Sequence, residues 1–142
     1  TLAYVYDDCT LRQGVEKMRI HGYTAIPVIT REGSYAGTIS EGDFLYALLS
    51  RDALPGRDAS AVEALEKGRI RDILRRDFNP AVRVDVHMEE LLERVSNQNF
   101  VPVVDDRNSF IGIVTRKDVI EYFLQKTREY EAQSVFSSVP AE

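Results

Sequence analysis

Apolar positions along the chain change period several times, and the changes come in a repeated order. Residues 3–6 read as a short strand. Leu11, Val15 and Met18 then fall at i, i+4 and i+7, the spacing of one helix face. Thr10 with Gln13 has capping-box spacing at the start of that helix. Gly22 suits its end, where a left-handed residue is favoured. Residues 25–30 and 35–39 are rich in strand formers and flank Arg31, Glu32, Gly33 and Ser34, which reads as a β-hairpin. Pro27 cannot donate to a ladder, so it predicts a strand start or an edge. A helix over 42–50 follows, with Phe44, Leu45, Leu48 and Leu49 apolar.

The same order returns after residue 81. Val82, Arg83 and Val84 make a strand, and Met88, Leu92 and Val95 repeat the i, i+4, i+7 spacing. A second hairpin spans 100–105 and 109–114, and a helix runs from Arg116 to about Tyr130. The landmarks stand 75 residues apart: Ile26-Pro27-Val28 and Val101-Pro102-Val103, Gly37 and Gly112, Ser40 and Thr115, Asp43 and Asp118. An internal repeat of this kind decides the architecture before anything else. Each copy reads β-α-β-β-α, an α/β (α+β) unit too small to cover both faces of its own sheet. Two copies packed sheet to sheet would bury a shared core. We therefore expect one repeat over 1–50 and a linker over 51–68, with a turn at Pro55-Gly56 and a short helix over 59–67. The second repeat covers 69–130, and a frayed tail covers 131–142.

Composition narrows the class. With 142 residues, 44% hydrophobic and 29% charged, the chain reads as an ordinary soluble protein. A formal net charge of −5 argues against general nucleic-acid affinity. Cys9 is the one cysteine, so no internal disulfide forms, and a reducing, cytoplasmic setting is expected. No apolar run approaches the roughly 18 residues of a membrane span. Arginines and a lysine between 67 and 76 alternate with Asp72 and read as a solvated face.

No catalytic constellation stands out. There is no phosphate-binding glycine loop and no paired-histidine metal motif, and His21 and His87 are far apart in sequence. We expect no enzyme activity, no metal and no cofactor beyond a regulatory ligand. What does stand out is the start of the helix after each hairpin. Thr115 takes the N-cap position and Asp118 the position three residues on, as Ser40 and Asp43 do in the first copy. The free N–H groups of such a helix start suit a phosphate, and Arg116 and Lys117 add positive charge there. The same residues also read as helix caps that hold no ligand. Tyr23 reads equally as a packed aromatic.

The two Gly-x-apolar-Ser/Thr-x-x-Asp segments, each about ten residues after an apolar-Pro-Val strand, resemble a cystathionine-β-synthase (CBS) domain pair, the Bateman module. The likeness covers roughly residues 3–126. The stretch Tyr23-Thr24-Ala25-Ile26-Pro27-Val28 is also similar to small stand-alone bacterial CBS-pair proteins, some of which bind AMP or cyclic di-AMP. The resemblance implies a non-catalytic regulatory module with two pseudo-symmetric clefts for adenine nucleotides (AMP, ADP, ATP or cyclic di-AMP). In these the Ser/Thr faces phosphate and the Asp takes the ribose hydroxyls. It implies a main cleft of Thr115, Arg116, Lys117 and Asp118 with Val5, Tyr23, Thr24, Ala25 and Ile26. It implies a second cleft of Ser40 and Asp43 with Val82, Asn99, Phe100 and Val101. Glu41 and Gly42 replace the basic pair in that second cleft. Like charge opposes phosphate there, so the Thr115 cleft is expected to bind at least about tenfold tighter. The resemblance also implies a homodimer formed through the helices after each hairpin. Two other readings stay open. Thr1 opens directly on a strand without Met, as a regulatory fragment of a larger enzyme or transporter would. A structural dimerisation domain with empty clefts fits the same residues.

Overall fold

The structure is a computed structural model that describes residues 3–50 and 60–138, with side chains as far as residue 134 at the C-terminal end. The expected turn at Pro55-Gly56 lies outside the described residues.

The first repeat contains β1 (Val5–Tyr6), α1 (Leu11–His21), β2 (Ala25–Ile29), β3 (Tyr35–Ser40) and α2 (Glu41–Ser50). The second contains β4 (Val82–Arg83), α5 (Met88–Asn97), β5 (Phe100–Val104), β6 (Phe110–Thr115) and α6 (Arg116–Ser138). Between them lie α3 (Ala61–Lys67) and α4 (Ile70–Ile73). Each repeat builds a three-stranded sheet with its second strand in the middle, parallel to the first and antiparallel to the third. The register matches across the repeat: Ile26 faces Ile39 as Val101 faces Val114, and a bulge falls after Val28 and again after Val103. Tandem β-α-β-β-α repeats are thus what the chain forms.

Local signals act as the sequence predicts at α1. Gln13 N–H donates to Thr10 Oγ1 at 3.1 Å, and Thr10 N–H donates to Gln13 Oε1 at 2.9 Å. Gly22 closes the helix at φ 69°. Pro27 differs from expectation. It lies within the central strand, not at a start or an edge, because β1 pairs only with Val28 and Ile29 and ends short of it.

The two repeats meet at their hairpin tips and along one side of their sheets. Tyr35 N–H donates to the Asn108 carbonyl at 3.1 Å, and Phe110 N–H donates to the Gly33 carbonyl at 2.8 Å. The Phe110 ring stacks on Tyr35 and meets Tyr4 edge-on. The apolar core, however, divides into two clusters. One holds Leu11, Met18, Ile26, Val28, Ile39 and Phe44, and the other Val82, Val95, Val101 and Val119. Ala64 and Ile70 are fully buried in the first cluster, so α3 and the start of α4 pack against the first repeat. Nothing comparable covers α5 among the described residues, and Met88 and Leu92 stay over a third exposed. The last helix also runs past the expected end near Tyr130, through residue 138, into the segment expected to fray.

Candidate functional site

Strands β2 and β5 begin side by side, and the end of β6 closes a cavity of about 340 Å³ between the repeats. It is lined by Ala3, Gly22, Tyr23, Thr24, Ala25, Pro27, Asn99, Phe100, Ile113 and Thr115. That volume falls within the range of small-molecule sites, about 300–1,000 Å³. No lining side chain carries a charge. Two aromatic rings contribute, Phe100 nearly buried and Tyr23 partly exposed, with Tyr23 stacked on His21 at 5.4 Å. The walls therefore suit a flat, neutral heteroaromatic ring.

Thr115 brings a helix start to this cavity. Asp118 N–H donates to Thr115 Oγ1 at 3.1 Å, and Thr115 N–H donates to Asp118 Oδ2 at 2.9 Å, a complete capping box. The N–H groups of the first turn of α6 have no acceptor within the helix, so an anion beside Thr115 would meet free donors and the positive end of the dipole. Among the described residues no cation reaches Asp118 within ion-pair distance, which leaves its Oδ1 free.

The structure scatters the other residues expected in this cleft. Val5 and Ile26 are buried in the first core cluster, at 3% and 0% exposure. Arg116 turns from the cavity and donates through Nε to the Val95 carbonyl at 2.8 Å and through Nη2 to that of Ser96 at 3.3 Å. It thereby satisfies carbonyls near the end of α5. Lys117 points into solvent, 4.0 Å from Glu121. Asn99 and Phe100, expected in the second cleft, instead face Tyr23, Thr24, Ala25 and Thr115 across the one cavity. Val82 and Val101 belong to the second core cluster.

The Ser40 copy has a different environment. Asp43 Oδ2 accepts from Ser40 N–H at 2.8 Å and from Ser40 Oγ at 3.0 Å. Its Oδ1 accepts from Arg75 Nε at 2.7 Å. A second cavity of about 440 Å³ opens between α1, α2 and α3, lined by Val15, Met18, Phe44, Leu45, Leu48 and Leu65 with Arg19 and Glu41 among its polar groups. It is the larger of the two, yet it takes in neither helix-start hydroxyl nor either aspartate. The smaller cavity is the better candidate, because the donors converge there.

Residues 1–50 and 70–125 match the CBS domain family. The chain belongs to this family. Its two CBS repeats are the two halves described above. A CBS domain-containing protein of Dictyostelium discoideum is 26% identical over 133 residues, covering 89% of this chain and 88% of that protein. The crystal structure of the Listeria monocytogenes CbpB protein in complex with c-di-AMP matches with a TM-score of 0.68 at 28% identity, covering 89% of this chain and 90% of that one. The inosine-5'-monophosphate dehydrogenase of Methanocaldococcus jannaschii is 28% identical over 119 residues, which span 82% of this chain and 21% of the enzyme.

Sequence reasoning passed over four lining residues of this CBS pair: Ala3, Gly22, Pro27 and Ile113. Two carry a period-two signal: Ile113 lies two residues before Thr115 on one strand, and Pro27 two after Ala25 on another. Strand alternation puts such pairs on one face, so the wall was there to be read. Among the described residues no group of three or more His, Cys, Asp and Glu is placed to hold a metal ion, and no helix is long and apolar enough to cross a membrane.

Proposed function

We propose that this CBS pair is a regulatory module that binds an adenine nucleotide in the cavity between its repeats and works as a homodimer in the cytoplasm. The carrying observation is the convergence of Tyr23, Thr24, Ala25, Asn99 and Phe100 with the capped helix start at Thr115 around one uncharged cavity. The ring walls take the base, the first turn of α6 takes a phosphate, and Asp118 takes ribose hydroxyls. The complex of the Listeria CbpB protein with c-di-AMP supports a ligand of this class. Signalling follows if the ligand binds one arrangement of the repeats more tightly than another.

The test is thermal unfolding with AMP, ADP, ATP and cyclic di-AMP, followed by calorimetry. A ligand at about 100 times its dissociation constant adds roughly 2.7 kcal/mol of stability. Asp118→Ala weakens AMP binding roughly 10- to 100-fold, since hydrogen bonds to a charged group contribute about 1.5–3 kcal/mol. Cyclic di-AMP has no vicinal ribose diol, so the same variant weakens it less. Thr115→Ala also weakens AMP, and Asp43→Ala leaves it nearly unchanged. No stabilisation by any of the four ligands would sink the reading and leave a structural dimerisation domain. A second reading, the regulatory part of a larger enzyme, is favoured by the match to one-fifth of the dehydrogenase. The full reading frame separates the two.

A further inference from the structure

The cavity between α1, α2 and α3 has no part in the nucleotide reading. Its walls nevertheless come from two helix faces with one spacing. Val15, Met18, Arg19 and Gly22 line it from α1, and Glu41, Phe44, Leu45 and Leu48 from α2. Each set is an i, i+3, i+4, i+7 stripe. Leu65 of α3 joins them. Met18 and Phe44 are almost fully buried members of the first core cluster, so the floor of the cavity is held by the core. A volume of about 440 Å³ and an apolar wall with few polar groups are the features of a small-molecule site.

The polar groups gather at one end. Glu41 N–H donates to the Thr24 carbonyl at 3.0 Å, which sets the start of α2 beside the end of α1. Arg19 lies in the last turn of α1 and Glu41 in the first turn of α2, so both belong to that end. One charge of each sign leaves the wall neutral. Among the described residues neither side chain has an ion-pair partner. A donor and an acceptor are therefore available to a polar tip, while the apolar remainder of the wall disfavours a charged body.

The same end shares a wall with the cavity between the repeats, because Gly22 and Tyr23 line both. A molecule seated against Tyr23 on one side restrains the ring that the other side presents.

We propose that the cavity between α1, α2 and α3 is a second ligand site, for a small neutral apolar molecule with one polar tip, and that its occupancy is felt between the repeats through Gly22 and Tyr23. The apolar body lies between the stripes of α1 and α2, and the tip meets Arg19 and Glu41. Ordering Tyr23 once lowers the cost of ordering it again, so the two ligands tighten each other by the same factor. Only this coupling rests on the nucleotide reading, and the site itself does not.

The experiment uses Nile red, a neutral apolar dye, on the full chain. Tyr23→Trp supplies the chain's only tryptophan, at the shared wall. The expected result is about one dye per chain, with quenched tryptophan emission and raised anisotropy. Val15→Phe and Leu48→Trp fill the cavity and weaken the dye at least about tenfold, and either one that keeps a cooperative melting transition suffices. Leu49→Glu/Phe123→Glu changes the exposed apolar faces of α2 and α6 without touching the cavity wall, and it leaves binding unchanged. Absence of binding, or binding lost in this surface variant and kept in the filled ones, overturns the site. Binding by the surface variant alone also overturns it, since a second copy then covers the cavity. Tighter binding of the anionic dye 1-anilinonaphthalene-8-sulfonate overturns the neutral class. With saturating Nile red the affinity for AMP rises at least about fivefold, and an unchanged affinity overturns the coupling. If no form binds AMP, the nucleotide reading fails, and the dye with the filled variants still decides the site.

Discussion

Tyr35 shows how much a single hydroxyl organises. It lies 2.7 Å from Thr38 Oγ1 while donating to the Asn79 carbonyl, so one side chain of the first repeat secures the lead-in to the second. Burial pushes its phenol up to about 12, opposed by the hydrogen bond with Thr38. The unfolded chain releases that proton near pH 10. The native state holds the proton longer, so the contribution to stability is complete below about pH 10 and declines as pH rises towards 12. Tyr35→Phe should cost about 1–2 kcal/mol at neutral pH in urea unfolding, the usual range for a buried hydrogen bond lost on one side. Its stability should also fall less steeply than wild type between pH 10 and 12, and parallel curves would contradict this account. Residues of the local kind were legible beforehand. Thr115 with Asp118, and Thr10 with Gln13, are caps set by spacing alone. The destination of Arg116 was not, because it depends on where α5 ends in space, some twenty residues back in the chain.

Among elements, α1 carries an apparent contradiction. Gly14 sits mid-helix, where alanine would normally be favoured by up to about 1 kcal/mol. The reason lies across the interface. A Cβ there would stand 2.6 Å from Ile70 Cδ1 and 3.1 Å from Phe44 Cζ, and both of those side chains are buried. Gly14→Ala should therefore destabilise by roughly 1–3 kcal/mol through overpacking. A midpoint shift in chemical denaturation measures it, and a stabilised variant would show that α4 yields easily. This contact explains why the linker reading stopped short. Helical periodicity announces Ile70 and Ile73 as apolar but does not say which repeat receives them. The same limit applies to α5, where Met88, Leu92 and Val95 share a face by spacing, yet only Val95 is buried.

At the scale of the molecule, the unequal cores leave apolar surface behind. Leu45 and Leu49 on α2, and Ile120, Phe123 and Leu124 on α6, are all more than 40% exposed. Apolar patches of that extent mark contact surfaces, and two-fold pairing is the commonest way to cover one. Light scattering at micromolar concentration should give a dimer, and Leu49→Glu with Phe123→Glu should give a folded monomer. A monomeric wild type would defeat the expectation. The duplication, and with it the pair of sheets, was plain from landmarks 75 residues apart. Two separate cores in place of a shared one were not, since a hydrophobic pattern names the face to be covered and not what covers it.

Among its described side chains, the last helix meets the body of the protein through its first turn, where Val119 is buried and Arg116 holds the Val95 and Ser96 carbonyls. Val119 is the only buried residue of α6 among its described side chains, and from Ile120 to Ser134 every one is exposed. At 1.5 Å per residue its 23 residues make a rod about 35 Å long, seated at the capping box that borders the cavity. Such a rod is a lever with a very short inner arm. A tilt of about 5° at Thr115 carries its far end through about 3 Å, so a displacement too small to disturb the cavity wall is magnified at the C-terminal end into one a partner can feel.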